Sequence, residues 1–412
     1  MIKTIKNYFK LFQIKKLLRP SKDAIQTNNI LEKHYIALYF SPTPQTIYQV
    51  EQWLSILNIL NQKNNIIIIT RKLSTFFWFS KNTDFSIVFC RSLNELMDFY
   101  EKQNLKIILY VNHGVENFQS LSYRDAYHIH INHGESEKTS TISNQANAYS
   151  YVFIVGPAAY EKYHLNLLKT DMKNFIQIGR PQLEHVPILN NLNINFQKKI
   201  ILYAPTWEGT HTSMNYTSLE TYALPLIHTI LKNSDFYLIY KPHPNTGSRD
   251  RKIQKINQKI IHLLKNNISA KVILKGDINS LYPHIDIGIF DNSAVAIDYL
   301  YINKPMIMTN MFFRFQGQRT SPKIIHAARI VSINDIPNIQ AIILNELKYD
   351  TKKQKRQKIK EYFLGCFNYN KQESTKTFNL TIQTLMHKRD EIIKKRYHYI
   401  QKNKENDSFL QS

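Results

Sequence analysis

One stretch, residues 275–310, limits most strongly what this chain can fold into. It contains an apolar strand pattern at 285–290, a polar turn at 291–293, small residues that open a helix at Ala294, and a second apolar strand pattern at 305–309. A strand, a helix and a second strand in this order form a βαβ unit, whose two strands run parallel in one sheet. The stretch therefore predicts an α/β fold.

The polar turn of this unit is the first candidate binding site. Ligands of α/β sheets bind beyond the carboxyl ends of the strands, and a helix N-terminus offers unpaired N–H groups to a phosphate. Asp291, Asn292 and Ser293 lie where both features meet. The same residue types also cap helices without any further function. Taken alone, the turn leaves a phosphate site and a simple helix cap open as interpretations.

The alternation of strand and helix patterns runs through two successive parts of the chain. Apolar strand patterns recur in the first part at 35–40, 66–70, 86–90, 106–111, 128–132 and 151–155, and in the second part at 199–204, 236–240, 271–274, 285–290 and 305–309. Strands that alternate with helices indicate a mostly parallel sheet covered on both faces. The chain is therefore predicted to form two Rossmann-like domains, residues 25–190 and 198–345, facing each other across a cleft.

Basic segments flank the two predicted domains. In residues 1–24, apolar side chains recur near helical spacing among lysines, and residues 346–412 are helical in pattern and increasingly rich in Lys and Arg. A basic amphipathic helix can bind an anionic membrane surface. It can equally pack on its own domain, and the sequence leaves both interpretations of residues 1–24 open.

The excess of basic residues indicates an anionic partner. Lys and Arg number 54 against 31 Asp and Glu, which gives a formal net charge of +23. Such an excess suits a phosphate-rich substrate, nucleic acid or an acidic membrane surface. No apolar run approaches the roughly 20 residues that cross a bilayer, and no signal-peptide pattern is present, so a cytoplasmic protein is expected. Only two cysteines, Cys90 and Cys366, are available, which excludes a disulfide framework.

Two more motifs follow strands of the second part. Lys241 and His243 lie in KPHPN, directly after the strand pattern at 236–240, where two prolines keep the backbone out of a helix. Lys241 could pair with a phosphate and His243 could donate to a phosphoryl oxygen, although a rigid turn with a solvated lysine is the alternative. Thr206 and Trp207 follow the strand pattern at 199–204; Thr206 offers a hydroxyl, whereas core packing is the favoured interpretation of Trp207.

The first part carries a histidine beside a glycine at a strand end. His133 and Gly134 follow the strand pattern at 128–132, and Glu135 comes next. A histidine in this position can act as a general base toward a substrate hydroxyl. His113 and Gly114 form a second candidate of the same kind. A metal site would need four histidines whose spacing fixes no geometry, namely His113, His128, His130 and His133, so no metal is expected.

Taken in order, these motifs resemble the CDP-glycerol glycerophosphotransferase family, of the teichoic acid polymerase type. The resemblance rests on APTW at 204–207, KPHP at 241–244, and the D-x-x-x-L-Y-P-x-x-D-x-x-x-x-D-x-S pattern from Asp277 to Ser293. The His-Gly run at 133–134 and GRPQLE at 179–184 resemble the more divergent, capsule-associated members. The resemblance extends over roughly residues 129–310.

This resemblance implies a GT-B fold that binds a CDP-alcohol donor in its C-terminal half and the acceptor in the cleft. A terminal hydroxyl of the acceptor would attack the β-phosphorus of the donor and expel CMP, without a cofactor. His133 would take the acceptor proton, and His243 would stabilise charge on the donor phosphates. The other implied site residues are Thr206, Lys241, Asp291, Asn292 and Ser293 on the donor side, and Gly134, Glu135, Lys138 and Arg180 as acceptor-side candidates.

Two departures from the family pattern bear on the acceptor and the donor. Typical polymerases have His-Gly-Thr followed by a Pro-Leu-Lys run where this chain has His133, Gly134 and Glu135, which leaves the acceptor and the chain length open. The family motif ends in two serines where this chain has Ser293 and Ala294, so one potential phosphate donor is absent.

The leading prediction is a transferase that moves glycerol phosphate, or a related polyol phosphate, from a CDP-activated donor to a cell-surface polymer. The polymer would be teichoic-acid-like or capsular, or its lipid-linked glycan precursor, and the enzyme would be peripheral on the inner face of the cell membrane. One alternative is a GT-B glycosyltransferase with a UDP- or GDP-sugar donor. Another is a basic RNA-binding or membrane-scaffold module, which is disfavoured because no zinc knuckle, RNP-like aromatic motif or KH-type glycine loop is present.

Overall fold

The computed structural model describes residues 33–137, 142–186, 194–209, 215–311 and 322–410, with side chains up to residue 403. Contacts divide the chain into two compact units. One unit takes the described residues of 1–49, 57–131 and 381–412, and the other takes those of 50–56 and 132–380. The predicted segments 1–24 and Lys138 lie outside the described residues. The predicted domain boundaries stay a prediction.

The first sheet has seven strands in the order β3-β2-β1-β4-β5-β6-β7. The strands are β1 (Ile36–Phe40), β2 (Ile66–Thr70), β3 (Ser86–Phe89), β4 (Ile107–Tyr110), β5 (Tyr127–His130), β6 (Tyr151–Ile154) and β7 (Phe175–Gln177). β1 pairs in parallel with β2 and with β4. Every residue of β1 and β2 is buried, as expected for strands covered on both faces.

The second sheet has six strands in the order β10-β9-β8-β11-β12-β13. The strands are β8 (Lys199–Ala204), β9 (Phe236–Tyr240), β10 (Ala270–Val272), β11 (Ile287–Phe290), β12 (Met306–Thr309) and β13 (Arg329–Val331). β8 pairs in parallel with β9 on one side and with β11 on the other. The chain therefore reverses its winding direction between β8 and β11, and such a switch point is where ligands of open α/β sheets bind.

Helices connect most of these strands. They are α1 (Tyr48–Asn64), α2 (Leu73–Asn82), α3 (Leu93–Gln103), α4 (Asn117–Ser120), α5 (Pro157–Asn166), α6 (Ala223–Leu231), α7 (Arg251–Lys265), α8 (Ala294–Tyr299), α9 (Ile339–Tyr349), α10 (Lys353–Leu364) and α11 (Glu373–Leu410). Local chemistry sets several of their starts. Ser92 and Glu95 form a capping box before α3, and the Asp250 side chain accepts the N–H groups of Lys252 and Ile253 at the start of α7.

The α/β prediction is confirmed, and both sheets have the Rossmann strand order. The predicted strand patterns correspond to β1–β6 and β8–β12 within a few residues. The sequence missed β7 and β13, which have three residues each and therefore carry almost no periodic signal. The helix predicted to begin at Ala294 is α8, which ends at Tyr299 and continues as a 3-10 turn, Leu300–Ile302.

The basic C-terminal region forms the long helix α11. Its first half is anchored, for example by Phe378 and Ile382, which are fully buried. From residue 391 to residue 402 nearly every side chain is exposed. Across the part of the chain that the structure describes, no helix is both long and apolar enough to span a membrane.

Candidate active site

The predicted site residues that the structure describes all fall in one unit, the one built from 50–56 and 132–380. Asp291, directly after β11, organises the switch point of the second sheet. Its fully buried carboxylate accepts the N–H of Thr206 (2.9 Å) and the N–H of Ser218 (3.0 Å) through Oδ2. The Thr309 hydroxyl donates to Oδ1 at 2.5 Å. Burial raises the pKa of Asp291, and these hydrogen bonds oppose the rise. Asp291, which follows β11, thus ties together the segment after β8 and the last residue of β12.

Asn292 and Ser293 are the next two residues, and both are buried, with 1% and 7% of their surfaces exposed. Within the described residues, neither the Asn292 amide group nor the Ser293 hydroxyl has a hydrogen-bond partner. Ser293 occupies the N-cap position of α8, but its side chain makes no capping hydrogen bond. Since buried polar groups are rarely left unpaired without a ligand or a functional reason, simple capping does not account for this pair.

The KPHPN motif lies directly after β9, as predicted. Lys241 is buried, and its N–H donates to the Tyr203 carbonyl at 3.0 Å. Burial lowers the pKa of the Lys241 ammonium, while the nearby Asp277 and Glu51 carboxylates oppose that shift. A cation with this environment stays close to acidic groups while being largely removed from water, so an incoming phosphate would meet a poorly hydrated charge.

His243 is held in a defined orientation. Its Nδ1 accepts the N–H of Asn245 at 3.1 Å, so the neutral imidazole carries its proton on Nε2. Its ring stacks on Trp207, with the ring centroids 5.7 Å apart and the planes 14° from parallel. Trp207 thus supports the histidine, a contact that the sequence did not predict.

Glu208 is a residue of this region that sequence reasoning missed. Its buried carboxylate accepts the N–H groups of Gly247 (3.0 Å), Arg249 (2.9 Å) and Asp250 (3.3 Å). These three donors follow KPHPN in the loop between β9 and α7, so Glu208 fixes the loop that carries His243. The only sequence signal was an acidic residue inside APTWEGT, next to motif residues at a strand end.

The His133 loop is held through its main chain. Asn132 adopts a left-handed backbone with φ of 54°, a conformation that asparagine tolerates better than most residues. The indole Nε1 of Trp53 donates to the Asn132 carbonyl at 2.6 Å, and the His133 N–H donates to Asn132 Oδ1 at 2.8 Å. The His133 carbonyl accepts Nη2 of Arg180 at 3.1 Å. The backbone on which the His133 side chain stands is therefore fixed on both sides.

Gly134 brings this loop against the start of α8. A Cβ placed on Gly134 would lie 3.2 Å from the Cβ of Ala294, tighter than an ordinary contact. His133 precedes Gly134 and Ser293 precedes Ala294 in the chain. The predicted catalytic histidine and the unpartnered Ser293 hydroxyl therefore both stand next to the point where the two segments meet. A larger residue at position 134 would force the two segments apart.

Two other acceptor-side candidates, Glu135 and Arg180, are engaged with protein groups. Glu135 is buried and pairs with the ammonium of Lys162, which also donates to the Ser136 carbonyl at 3.3 Å. Arg180 is also buried and forms a two-point contact with Asp298, with Nε to Oδ1 and Nη2 to Oδ2 both at 3.0 Å. Burial alone would lower the pKa of Arg180, but Asp298 outweighs burial and the net shift is upward.

Helix α1 contributes two residues that the sequence did not single out. Gln52 accepts Nη2 of Arg180 at 3.1 Å and donates to Oδ1 of Asp277 at 3.3 Å. Burial raises the pKa of Asp277. Burial also raises the pKa of Glu51, with the Asp277 charge adding to the rise. No local pattern in α1 distinguishes these side chains from those of an ordinary solvent-facing helix, so only the fold identifies them.

The histidines considered for a metal site have other contacts. His128 lies between the Tyr110 hydroxyl (2.7 Å from Nδ1) and the Tyr123 carbonyl (2.6 Å from Nε2), and burial lowers its pKa to about 4. The His113 ring stacks on His130 at a centroid distance of 3.9 Å. Over the ranges given above, no group of three or more His, Cys, Asp or Glu side chains is arranged to hold a metal ion.

Comparison with solved structures identifies the fold class. The wall teichoic acid polymerase TagF superposes with a TM-score of 0.60 at 14% sequence identity, covering 86% of this chain and 89% of that one. The UDP-GlcNAc 2-epimerase from Neisseria meningitidis bound to UDP-GlcNAc gives a TM-score of 0.53 at 13% identity, covering 85% of this chain and 100% of that one. No curated protein sequence matches significantly. Two Rossmann-type sheets with these neighbours define a GT-B-type fold, which confirms the predicted class.

The family follows from the sequence match. The model of the family described as CDP-glycerol:poly(glycerophosphate) glycerophosphotransferase matches residues 26–313, more than half of the chain. The chain belongs to this family, so it is an enzyme of the transferase class and the predicted resemblance is confirmed.

Proposed function

We propose that this enzyme transfers glycerol phosphate, or a related polyol phosphate, from a CDP-activated donor to a teichoic-acid-like or capsular polymer, with release of CMP. One observation carries the proposal within the family. The buried and unpartnered Asn292 amide and Ser293 hydroxyl adjoin the point where Gly134 approaches Ala294, so a phosphate bound there would lie beside the His133 loop. Phosphoryl transfer requires this combination of a phosphate site and a nearby proton acceptor.

The donor side of the proposed site supplies charge and hydrogen-bond donors. The Lys241 ammonium and the Nε2–H of His243 would face the diphosphate, and the Ser293 hydroxyl and the Asn292 amide would complete the contacts. Thr206 would line the nucleotide-diphosphate site with its hydroxyl. Asp291 would position the donor site without touching the donor, because its carboxylate already accepts the N–H groups of Thr206 and Ser218.

The acceptor side of the proposed site supplies the base. The His133 imidazole would remove the proton of the acceptor hydroxyl as its oxygen forms a bond to the β-phosphorus. The bond between the β-phosphorus and the oxygen shared with the α-phosphate would break, and its electron pair would leave with CMP. Gly134 would allow the close approach. Glu135 and Lys138 remain acceptor-side candidates, of which Glu135 would act together with Lys162.

A donor panel tests this function. Purified protein is incubated with CDP-glycerol and a glycerol-phosphate-primed acceptor, and CMP is quantified, with CDP-ribitol as a second donor. CMP release that requires the acceptor is expected with at least one of them. Calorimetry with UDP- and GDP-sugars provides the contrast: tight binding of such a donor, with both CDP-alcohols inert, would instead support a glycosyltransferase.

We also propose that the enzyme works as a peripheral protein at an anionic membrane surface on the cytoplasmic side. The exposed part of α11 supports this partner, since it combines Tyr397, Tyr399 and Ile400 with Lys394 and Lys395. Exposed aromatic and aliphatic side chains beside lysines are typical of interfacial helices. Co-sedimentation with vesicles of anionic and of zwitterionic lipid measures how strongly the full chain binds each surface. The same experiment on a variant that lacks residues 1–19 measures how much of that binding depends on the N-terminal segment. Equal binding to both lipids would contradict the proposal.

A further inference from the structure

One buried arginine links both sides of the proposed site. Arg180 is only 2% exposed, and it donates hydrogen bonds to both carboxylate oxygens of Asp298 at 3.0 Å. Asp298 lies in α8, the short helix that begins immediately after Ser293. From this fixed position, Nη2 of Arg180 also reaches the His133 carbonyl at 3.1 Å. The guanidinium therefore connects the helix of the phosphate side directly to the loop of the proposed base.

The His133 loop has a second buried anchor in Trp53. The Trp53 indole, 1% exposed, donates to the Asn132 carbonyl at 2.6 Å. Two consecutive carbonyls, those of Asn132 and His133, are thus bound by side chains from different parts of the chain. Gln52, the neighbour of Trp53, accepts a hydrogen bond from the same Nη2 of Arg180, which joins the two anchors.

The chemistry of this link suits a rigid spacer better than a substrate contact. A guanidinium bound at two points to a carboxylate has a fixed plane, and Arg180 keeps its charge because Asp298 compensates it. Its Nε and Nη2 groups are engaged with Asp298, His133 and Gln52. The same contacts connect α8 directly to the His133 loop.

We propose that Arg180 is a positioning residue that sets the distance between the His133 imidazole and the donor phosphate, with Asp298 and Trp53 as its supports. This proposal rests on the proposed function, because the distance matters for catalysis only if His133 is the base and the phosphate binds at Ser293. Arg180 acts through His133 and does not itself touch the acceptor, which revises the role that the sequence suggested for it.

The first test is Arg180→Lys, which keeps the charge but cannot hold Asp298 and the His133 carbonyl in one plane. A displacement of about 1 Å in a reacting group can cost about 100-fold in rate. We therefore expect kcat for CMP release to fall about 100-fold, while the Kd for CDP-glycerol stays within about twofold. A double-mutant cycle with His133→Ala follows: Arg180→Lys should cause almost no further loss in that background, because the group it positions is gone.

The chain offers a matched control. Arg356 is also fully buried in the same unit, where it pairs with Asp350 and donates to the side chain and the carbonyl of Asn303, and neither partner is a predicted site residue. Arg356→Lys should lower the melting temperature by a similar amount but leave kcat unchanged. A loss of kcat in Arg356→Lys equal to that in Arg180→Lys, or additive losses in the cycle, would show that Arg180 is merely structural.

One further measurement, amide hydrogen exchange in two variants, does not depend on the proposed function. Trp53→Phe keeps the buried ring but removes the hydrogen bond to the Asn132 carbonyl. In this variant and in Arg180→Lys, amide hydrogen exchange across 132–137 should become about tenfold faster, without a change in β8 or β11. If the wild-type protein releases no CMP, the proposed function fails, but the exchange data still decide whether Arg180 fixes the loop. Unchanged exchange in both variants would overturn the inference.

Discussion

Removal of the Ser293 hydroxyl separates ligand binding from stability. The hydroxyl is buried and lacks a protein partner within the described residues, so the unliganded protein gains nothing from it. Deletion of an unpaired buried polar atom is neutral or slightly stabilising, whereas a hydrogen bond to a charged group contributes about 1.5–3 kcal/mol. We therefore expect Ser293→Ala to leave the free energy of unfolding unchanged or slightly raised, and to weaken CDP-glycerol binding by about 10- to 150-fold, which is the same energy expressed as a Kd ratio.

The assay measures both quantities on the same samples. Chemical denaturation without ligand gives the free energy of unfolding, and isothermal titration calorimetry gives the Kd for CDP-glycerol. Ser374→Ala is the matched control, because the fully buried Ser374 hydroxyl donates to the Ile178 carbonyl at 2.7 Å. That variant should lose about 1 kcal/mol of stability and keep its donor affinity. If Ser293→Ala bound the donor as tightly as the wild type, or lost stability as Ser374→Ala does, the phosphate role of Ser293 would be refuted.

Four other substitutions have defined outcomes. His133→Ala and His243→Ala should each reduce kcat by about 10²- to 10⁴-fold with the melting temperature nearly unchanged, and wild-type turnover in either would remove that residue from the mechanism. Burial lowers the pKa of Lys241, so kcat/KM for the donor should fall on the alkaline side at a pH below the usual lysine range. Lys241→Arg should move that decline upward, because arginine stays protonated; an unmoved decline would assign it to another group. Glu208→Gln should cost about 1–3 kcal/mol of unfolding free energy and weaken donor binding, because an amide N–H₂ would face N–H donors of the loop at 247–250. Denaturation measures the stability and calorimetry measures the donor affinity. Wild-type values of both would contradict the role of Glu208.

The candidate site shows which features the sequence could reveal. Thr206, Lys241, His243, Ser293 and His133 each follow a strand in a motif of unusual composition, so local pattern was enough to select them. The role of Asp291 was only partly visible, because a carboxylate at a strand end suits a ligand contact and a structural tie equally well. Its partners distinguish the two: Thr206 follows β8 and Thr309 ends β12, so both come from other parts of the sheet.

Residues that act through long-range contacts were beyond the reach of local patterns. Glu208 binds N–H groups about 40 positions later in the chain, and Gln52 binds Asp277, 225 positions away. Neither has a characteristic neighbour in sequence, since the partner is fixed by the strand order. Trp207 was expected to pack in a core, and nothing in the sequence indicated that its ring also stacks on His243.

The sequence by itself determined the α/β class, the alternation of strands and helices, and the family, because apolar periodicity and strand-end motifs are local properties. Only the tertiary structure decided the order of the strands, and with it the meeting of β8 and β11 at the switch point. The close approach of Gly134 to Ala294 and the link from Arg180 to Asp298 and His133 also belong to the tertiary structure. The physical reason is that hydrophobic patterning specifies which faces are buried, whereas the packing of distant segments specifies which polar groups are left to meet a ligand.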